Sequence, residues 1–126
     1  KMNFHEDEIE LAQLMHSIGF EWEPQVGNYV YDLENMIKKP SPFQEHVYFI
    51  LRLGEFLKIA GDIEQLQQNM CWLPTWEDAR AMLKQWGVHP DDIKQRLIDE
   101  DAFEKGNERL ILYKMMFEIL KQKYVP

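Results

Sequence analysis

The last predicted helix constrains the fold most, because apolar residues cover almost its whole circumference. We expect this helix from Glu108 to about Lys123, and its apolar members are Leu110, Ile111, Leu112, Met115, Met116, Phe117, Ile119 and Leu120. A helix that is apolar all round has to be covered by other elements. The rest of the chain is therefore expected to bury it, and its apolar surface is also a candidate seam for a homodimer.

Start and stop signals predict the other helices. Ser41 with Gln44, and Asp62 with Gln65, have the spacing of a capping box, and Thr75 has the side chain of an N-cap. Glycine follows several of the apolar stripes and marks their ends. The expected ranges are 5–18, 42–60, 62–69, 76–86 and 89–99.

Aromatic residues alternate with other residues in two short runs, 20–23 and 29–32. Such alternation is typical of a strand with one apolar face. The residues between the runs suit a four-residue turn, so we predict a β-hairpin. Its register places Trp22 opposite Tyr29 and Phe20 opposite Tyr31, with the rings packed on the helices and the acidic face outward.

The chain has 126 residues and no linker long enough to divide it, so we predict one domain, residues 1–126. Residues 46–51 are also a good strand sequence, although the length of the pattern and the Ser41 cap favour a helix there. The predicted fold class is α+β, mainly helical. Five or six helices pack with one β-hairpin, or with a small three-stranded sheet if residues 46–51 form a strand.

The negative charge of the chain is concentrated at its beginning. Residues 1–34 hold eight acids against one base, whereas the whole chain has a formal net charge of −8. This charge disfavours contact with nucleic acid or anionic membrane and favours a basic protein partner, unless it only keeps the surface solvated. The aromatic face of the hairpin either packs on the core or meets a partner, and the candidate interaction surface consists of Glu21, Trp22, Glu23, Tyr29, Tyr31 and Asp32.

The sequence predicts neither a cofactor nor a metal site. Its four histidines have no metal-binding spacing, and Cys71 has no second cysteine with which to form a disulfide. The apolar neighbours of Cys71 should raise the pKa of its thiol and keep it inert. No apolar run is long enough for a membrane span and no secretory signal is visible, so a reducing cytoplasm is the expected compartment.

Two alternative functions are open. Residues 75–99 have the spacing of a helix-turn-helix, but Asp91 and Asp92 begin the second helix, which favours an ordinary αα-hairpin over a DNA-binding regulator. An enzyme would need a pocket that gathers several residues from distant segments, namely His16, His46, Glu45 and Cys71.

The second half of the chain resembles small uncharacterised phage and prophage proteins of the phage ABA sandwich family. The resemblance rests on Cys71-Trp72-Leu73-Pro74-Thr75 before a helix and on the aromatic and Met-rich helix of residues 110–124. It implies an α+β accessory protein of the mobile-element type and supplies no catalytic residue. The function predicted from the whole sequence is a non-enzymatic interaction or accessory module that binds a protein partner through residues 6–34.

Overall fold

The structure, a computed structural model, describes residues 2–125. These residues form seven helices and three strands, which confirms the mainly helical α+β class. In chain order the elements are α1 (Glu6–Ser17), β1 (Tyr29–Asp32), β2 (Val47–Phe49), α2 (Leu53–Ala60), α3 (Ile63–Asn69), β3 (Met70–Leu73), α4 (Trp76–Gln85), α5 (Pro90–Asp99), α6 (Ala102–Lys105) and α7 (Glu108–Tyr124).

The elements fall into two compact units. The first ends at Leu73 and holds α1 to β3, and the second begins at Pro74 and holds α4 to α7. The single domain expected from the length of the chain stays a prediction.

The sheet of the first unit has the strand order β2-β1-β3, and both pairs are antiparallel. The predicted hairpin is wrong, because residues 20–23 form no strand and Tyr29 lies opposite Phe49 and Leu73. Both edges of β1 are thus occupied by strands distant in sequence. Trp22 turns inward instead, and its indole Nε1 donates a hydrogen bond to the Gln67 carbonyl at 3.3 Å.

The helix predicted over residues 42–60 is wrong in its first half. Val47–Phe49 forms β2, and only Leu53–Ala60 is helical. The two capping residues have other partners: the Ser41 hydroxyl donates to the Val47 carbonyl, and the Gln44 side chain pairs with both backbone groups of Phe4 at 2.7 and 2.9 Å. The third strand that the sequence left open is therefore present.

A core cluster joins the sheet of the first unit to α2 and α3. Its buried members are Trp22, Val30, Ile37, Ile50, Phe56, Leu66 and Met70. Helix α1 packs against β3 and buries Ala12 and Met15, while the opposite side of the helix stays accessible. Because the buried residues of α1 recur at the helical period, the residues between them face solvent.

Helix α7 is the central element of the second unit, and α4, α5 and α6 all pack against it. Its buried side chains are Leu110, Ile111, Leu112, Tyr113, Met115, Met116 and Leu120, which confirms that this helix is largely covered. Little apolar surface is left on α7 for a dimer seam, and a homodimer stays a prediction. The Thr75 cap is confirmed, since its hydroxyl accepts a hydrogen bond from the Asp78 N–H at 3.1 Å.

Candidate functional site

The six residues of the predicted interaction surface do not share one environment. Trp22 and Asp32 are 3% and 1% exposed, so neither is available to a partner. Asp32 accepts hydrogen bonds from the backbone N–H groups of Met36 and Ile37, at 3.0 and 2.8 Å, and its carboxylate shapes the turn after β1. These two assignments to the surface are wrong because a buried indole and a buried carboxylate each have an internal hydrogen-bonding role.

Tyr29 also has a packing role. Its ring lies 5.5 Å from Phe4, 5.6 Å from Phe43 and 4.9 Å from Phe49, measured between ring centroids. Edge-to-face and tilted contacts of this kind stabilise aromatic clusters. Of the six predicted residues, Glu21 and Glu23 are exposed and Tyr31 is half-buried at the surface.

The accessible face of α1 forms the wall of a groove. Glu6, Ile9, Glu10 and Gln13 recur at intervals of three and four residues, which places them on one face of the helix. Opposite them stand Tyr31 from β1 and Glu45 and His46 from the loop before β2. This first groove has a volume of about 300 Å³ and presents three carboxylates around the edges of Tyr31 and Ile9.

Tyr31 and His46 form the floor on the side of the sheet. Their rings are 5.4 Å apart, and His46 Nε2 lies 3.4 Å from a Glu45 carboxylate oxygen. Desolvation by burial, followed by the negative charge of Glu45, raises the pKa of the Tyr31 hydroxyl. The hydroxyl therefore stays protonated at neutral pH and can donate a hydrogen bond.

A second groove meets α1 at His16, three residues after Gln13 of the first groove. It is lined by His16, Gly19, Phe20, Glu21, Glu64, Gln67 and Gln68 and has a volume of about 460 Å³. His16 continues the helix face that carries Glu10 and Gln13, and its Nε2 lies 2.8 Å from the Gln68 carbonyl oxygen. The imidazole is thus held against α3, and Glu21 and Glu64 both line this groove.

The two grooves together form what we call the acidic strip. Its carboxylates are Glu6, Glu10, Glu21, Glu45 and Glu64, and no lysine or arginine among residues 2–125 lines either groove. From Glu6 to His16 the helix rises about 15 Å, so the strip is at least that long. Neither Glu45 nor Glu64 was assigned to an interaction surface from the sequence, because both lie outside the acidic segment and only the fold brings them to α1.

Neither of these two grooves gathers all the residues that an enzyme would have needed. Glu45 and His46 line the first groove, His16 lines the second, and Cys71 lines neither. Burial raises the pKa of Cys71 to about 12, as its apolar neighbours predicted. Within residues 2–125, no three His, Cys, Asp or Glu side chains converge as metal ligands.

The second unit contains the helix pair that resembled a helix-turn-helix. Both α4 and α5 pack against α7, and a turn at Gly87 connects them. Asp91 and Asp92 are exposed in the first turn of α5, where a recognition helix would meet DNA. Their charge opposes the approach of phosphate at that turn.

None of the helices described here has the length and apolar character needed to cross a membrane. Comparison of the chain with models of protein families, with curated proteins and with solved structures yields no match.

Proposed function

We propose that this protein is a non-enzymatic interaction module whose acidic strip binds a basic segment of a partner protein. The observation that carries this proposal is that five carboxylates line the two grooves beside α1, whereas no lysine or arginine of the described residues lines either of them. These carboxylates come from distant parts of the chain and line grooves. A surface that is acidic only for solubility would not need either feature.

Electrostatics favours a cationic occupant in two ways. Glu6 and Glu10 are one turn apart on α1, and like charges at this spacing cost about 0.2–0.5 kcal/mol on a helix. A cation placed between them removes that repulsion. The net charge of −8 also attracts a basic partner from a distance, which raises the association rate at low ionic strength.

The form of the strip favours an extended segment over a globular surface. About five residues of extended chain span the 15 Å of the strip, at roughly 3.3 Å per residue. The apolar edges of Ile9 and Phe20 and the ring of Tyr31 can cover the aliphatic stems of lysine or arginine, while the carboxylates meet the charged ends. A segment in which basic residues alternate with small ones would place its cations on one side.

Capture from a lysate with charge-reversed baits tests the proposal. The test variant is Glu6→Lys with Glu10→Lys, and the matched control is Glu23→Lys with Glu34→Lys, two exposed acids of the same segment that line neither groove. Both variants change the net charge equally. We expect a partner with a basic contact segment to be retained by the wild type and the control and lost from the test variant. Equal retention by all three would refute the proposal.

The other functions considered from the sequence have less support. DNA binding through residues 75–99 would have to overcome Asp91 and Asp92, and absence of duplex binding at low salt would end that alternative. Catalysis has less support because neither groove of the strip gathers all the residues it would need. The cytoplasmic location and the resemblance of residues 71–124 to phage accessory proteins stay predictions, and both are compatible with an interaction module.

A further inference from the structure

A separate cleft lies between α4 and α5 in the second unit. Its lining residues are Arg80, Ala81, Lys84, Val88, Pro90 and Ile93, and its volume is about 310 Å³. This volume is at the lower end of the range for small-molecule sites. None of these residues belongs to the acidic strip.

Within residues 2–125, the two cations of the cleft have no counter-ion. Arg80 and Lys84 are exposed and one turn apart on α4, so their charges repel each other. Neither makes an ion pair with any other described residue, in contrast to Arg96, which binds both Glu100 and Glu118. The cleft is thus a positively charged site in a chain whose net charge is −8.

The remainder of the cleft is apolar and its shape is held by the backbone. Ala81, Val88, Pro90 and Ile93 form the apolar lining. Hydrogen bonds from the Val88 N–H to the Leu83 carbonyl, at 2.9 Å, and from the Gly87 N–H to the Lys84 carbonyl, at 3.0 Å, fix the turn between α4 and α5. Asp91 and Asp92 follow Pro90 but do not line the cleft.

We propose that this cleft binds a small amphipathic carboxylate, with the acid group at Arg80 and Lys84 and the hydrocarbon part on the apolar lining. The charge complementarity is specific to a single anionic group, because the apolar lining cannot solvate a second one. The arginine can hold a carboxylate through two parallel hydrogen bonds, and the lysine supplies a further charge. A linear acid of about eight carbons suits the lower end of site volumes.

Titration of the full chain with octanoate, followed by the backbone amide resonances, tests this assignment. We expect saturable shifts confined to residues 80–93, with a dissociation constant of about 1 mM or lower. Octanol, which has the tail without the charge, and acetate, which has the charge without the tail, should each bind at least about tenfold more weakly.

A pair of double variants separates specific binding from general attraction of anions. Arg80→Gln with Lys84→Gln should weaken octanoate binding about tenfold or more. Lys94→Gln with Lys105→Gln removes the same charge from two exposed residues outside the cleft and should leave affinity within about twofold. The proposal is overturned if octanoate shifts no resonances of residues 80–93, if acetate binds as well as octanoate, or if both double variants lose affinity equally.

Discussion

Replacement of Asp32 provides a direct test of the account of the first unit. The carboxylate is 1% exposed and accepts two backbone hydrogen bonds, one from Met36 and one from Ile37. Asp32→Ala removes both acceptors and leaves both N–H groups without this partner. Hydrogen bonds to a charged group contribute about 1.5–3 kcal/mol each, so we expect the free energy of unfolding to fall by about 3–5 kcal/mol.

Asp32→Asn keeps the size of the side chain and isolates the role of its acceptors. One amide oxygen can still accept from Ile37 or Met36, but the NH₂ group then faces the other N–H donor. The free energy of unfolding should fall by about 2 kcal/mol, which is less than the fall expected for Asp32→Ala. Glu34→Ala, an exposed acid two residues away, should stay within about 0.5 kcal/mol of the wild type.

Urea unfolding measures these three variants, and hydrogen exchange of the Met36 and Ile37 amides locates the effect. Exchange at both amides should accelerate strongly in Asp32→Ala and partly in Asp32→Asn, because the hydrogen bonds protect them. If Asp32→Ala unfolds within 1 kcal/mol of the wild type and the exchange of both amides is unchanged, the structural role assigned to Asp32 is wrong.

Three further predictions concern single contacts. Burial raises the pKa of Cys71 to about 12, so iodoacetamide at about pH 8 should alkylate it in urea but not in the folded protein. Equal rates of alkylation in the two states would contradict its burial. Thr75→Ala should lower stability by about 1 kcal/mol and speed exchange in the first turn of α4, and an unchanged stability would rule out the cap. Arg96→Met should destabilise the second unit by about 1 kcal/mol at neutral pH, whereas Lys94→Met should have little effect. Because the hydrogen bond from Arg96 lowers the pKa of Glu118, this difference should shrink as the pH falls below about 4.5, and a constant difference would contradict the pairing.

The helices were predictable where a local signal marks each end. Asp62 caps α3 through a 2.8 Å hydrogen bond from the Gln65 N–H, and Gly19 follows α1 with a φ of 101°, as their positions in the sequence indicated. The predicted last helix matches α7, because its apolar residues, spread over positions 110–120, favour a helix buried on most of its sides.

Strand pairing was less predictable because it depends on residues far apart in the chain. The alternating run before Tyr29 fitted a hairpin, yet β1 pairs with residues 47–49 and 70–73, which no turn signal connects to it. β3 begins at Met70, directly after α3 ends at Asn69, so no loop residue marks the change from helix to strand. Local propensity gave the strand character of residues 46–51 but could not decide it against the helix cap at Ser41.

The candidate site, too, was predictable only where its residues lie close together in the sequence. The acids of α1 and Glu21 were visible as a charge excess in the first 34 residues, and the helical period places Glu6 and Glu10 on one face. Glu45 and Glu64 join them only through tertiary contacts. Trp22 and Asp32 were assigned to the surface because the sequence shows that a residue is aromatic or charged. It does not show whether the side chain points to the core or to solvent.

The most direct test of the acidic strip is a titration of the full chain with a peptide of about six residues in which arginine and serine alternate, a length that spans the strip. We expect saturable shifts of backbone amides along residues 6–16 and near Glu45 and Glu64, with an affinity that falls as salt is added. Glu6→Lys with Glu10→Lys should abolish these shifts, while Glu23→Lys with Glu34→Lys should preserve them. Shifts scattered over both units, or the same response from both variants, would contradict the central claim that the strip is a binding site.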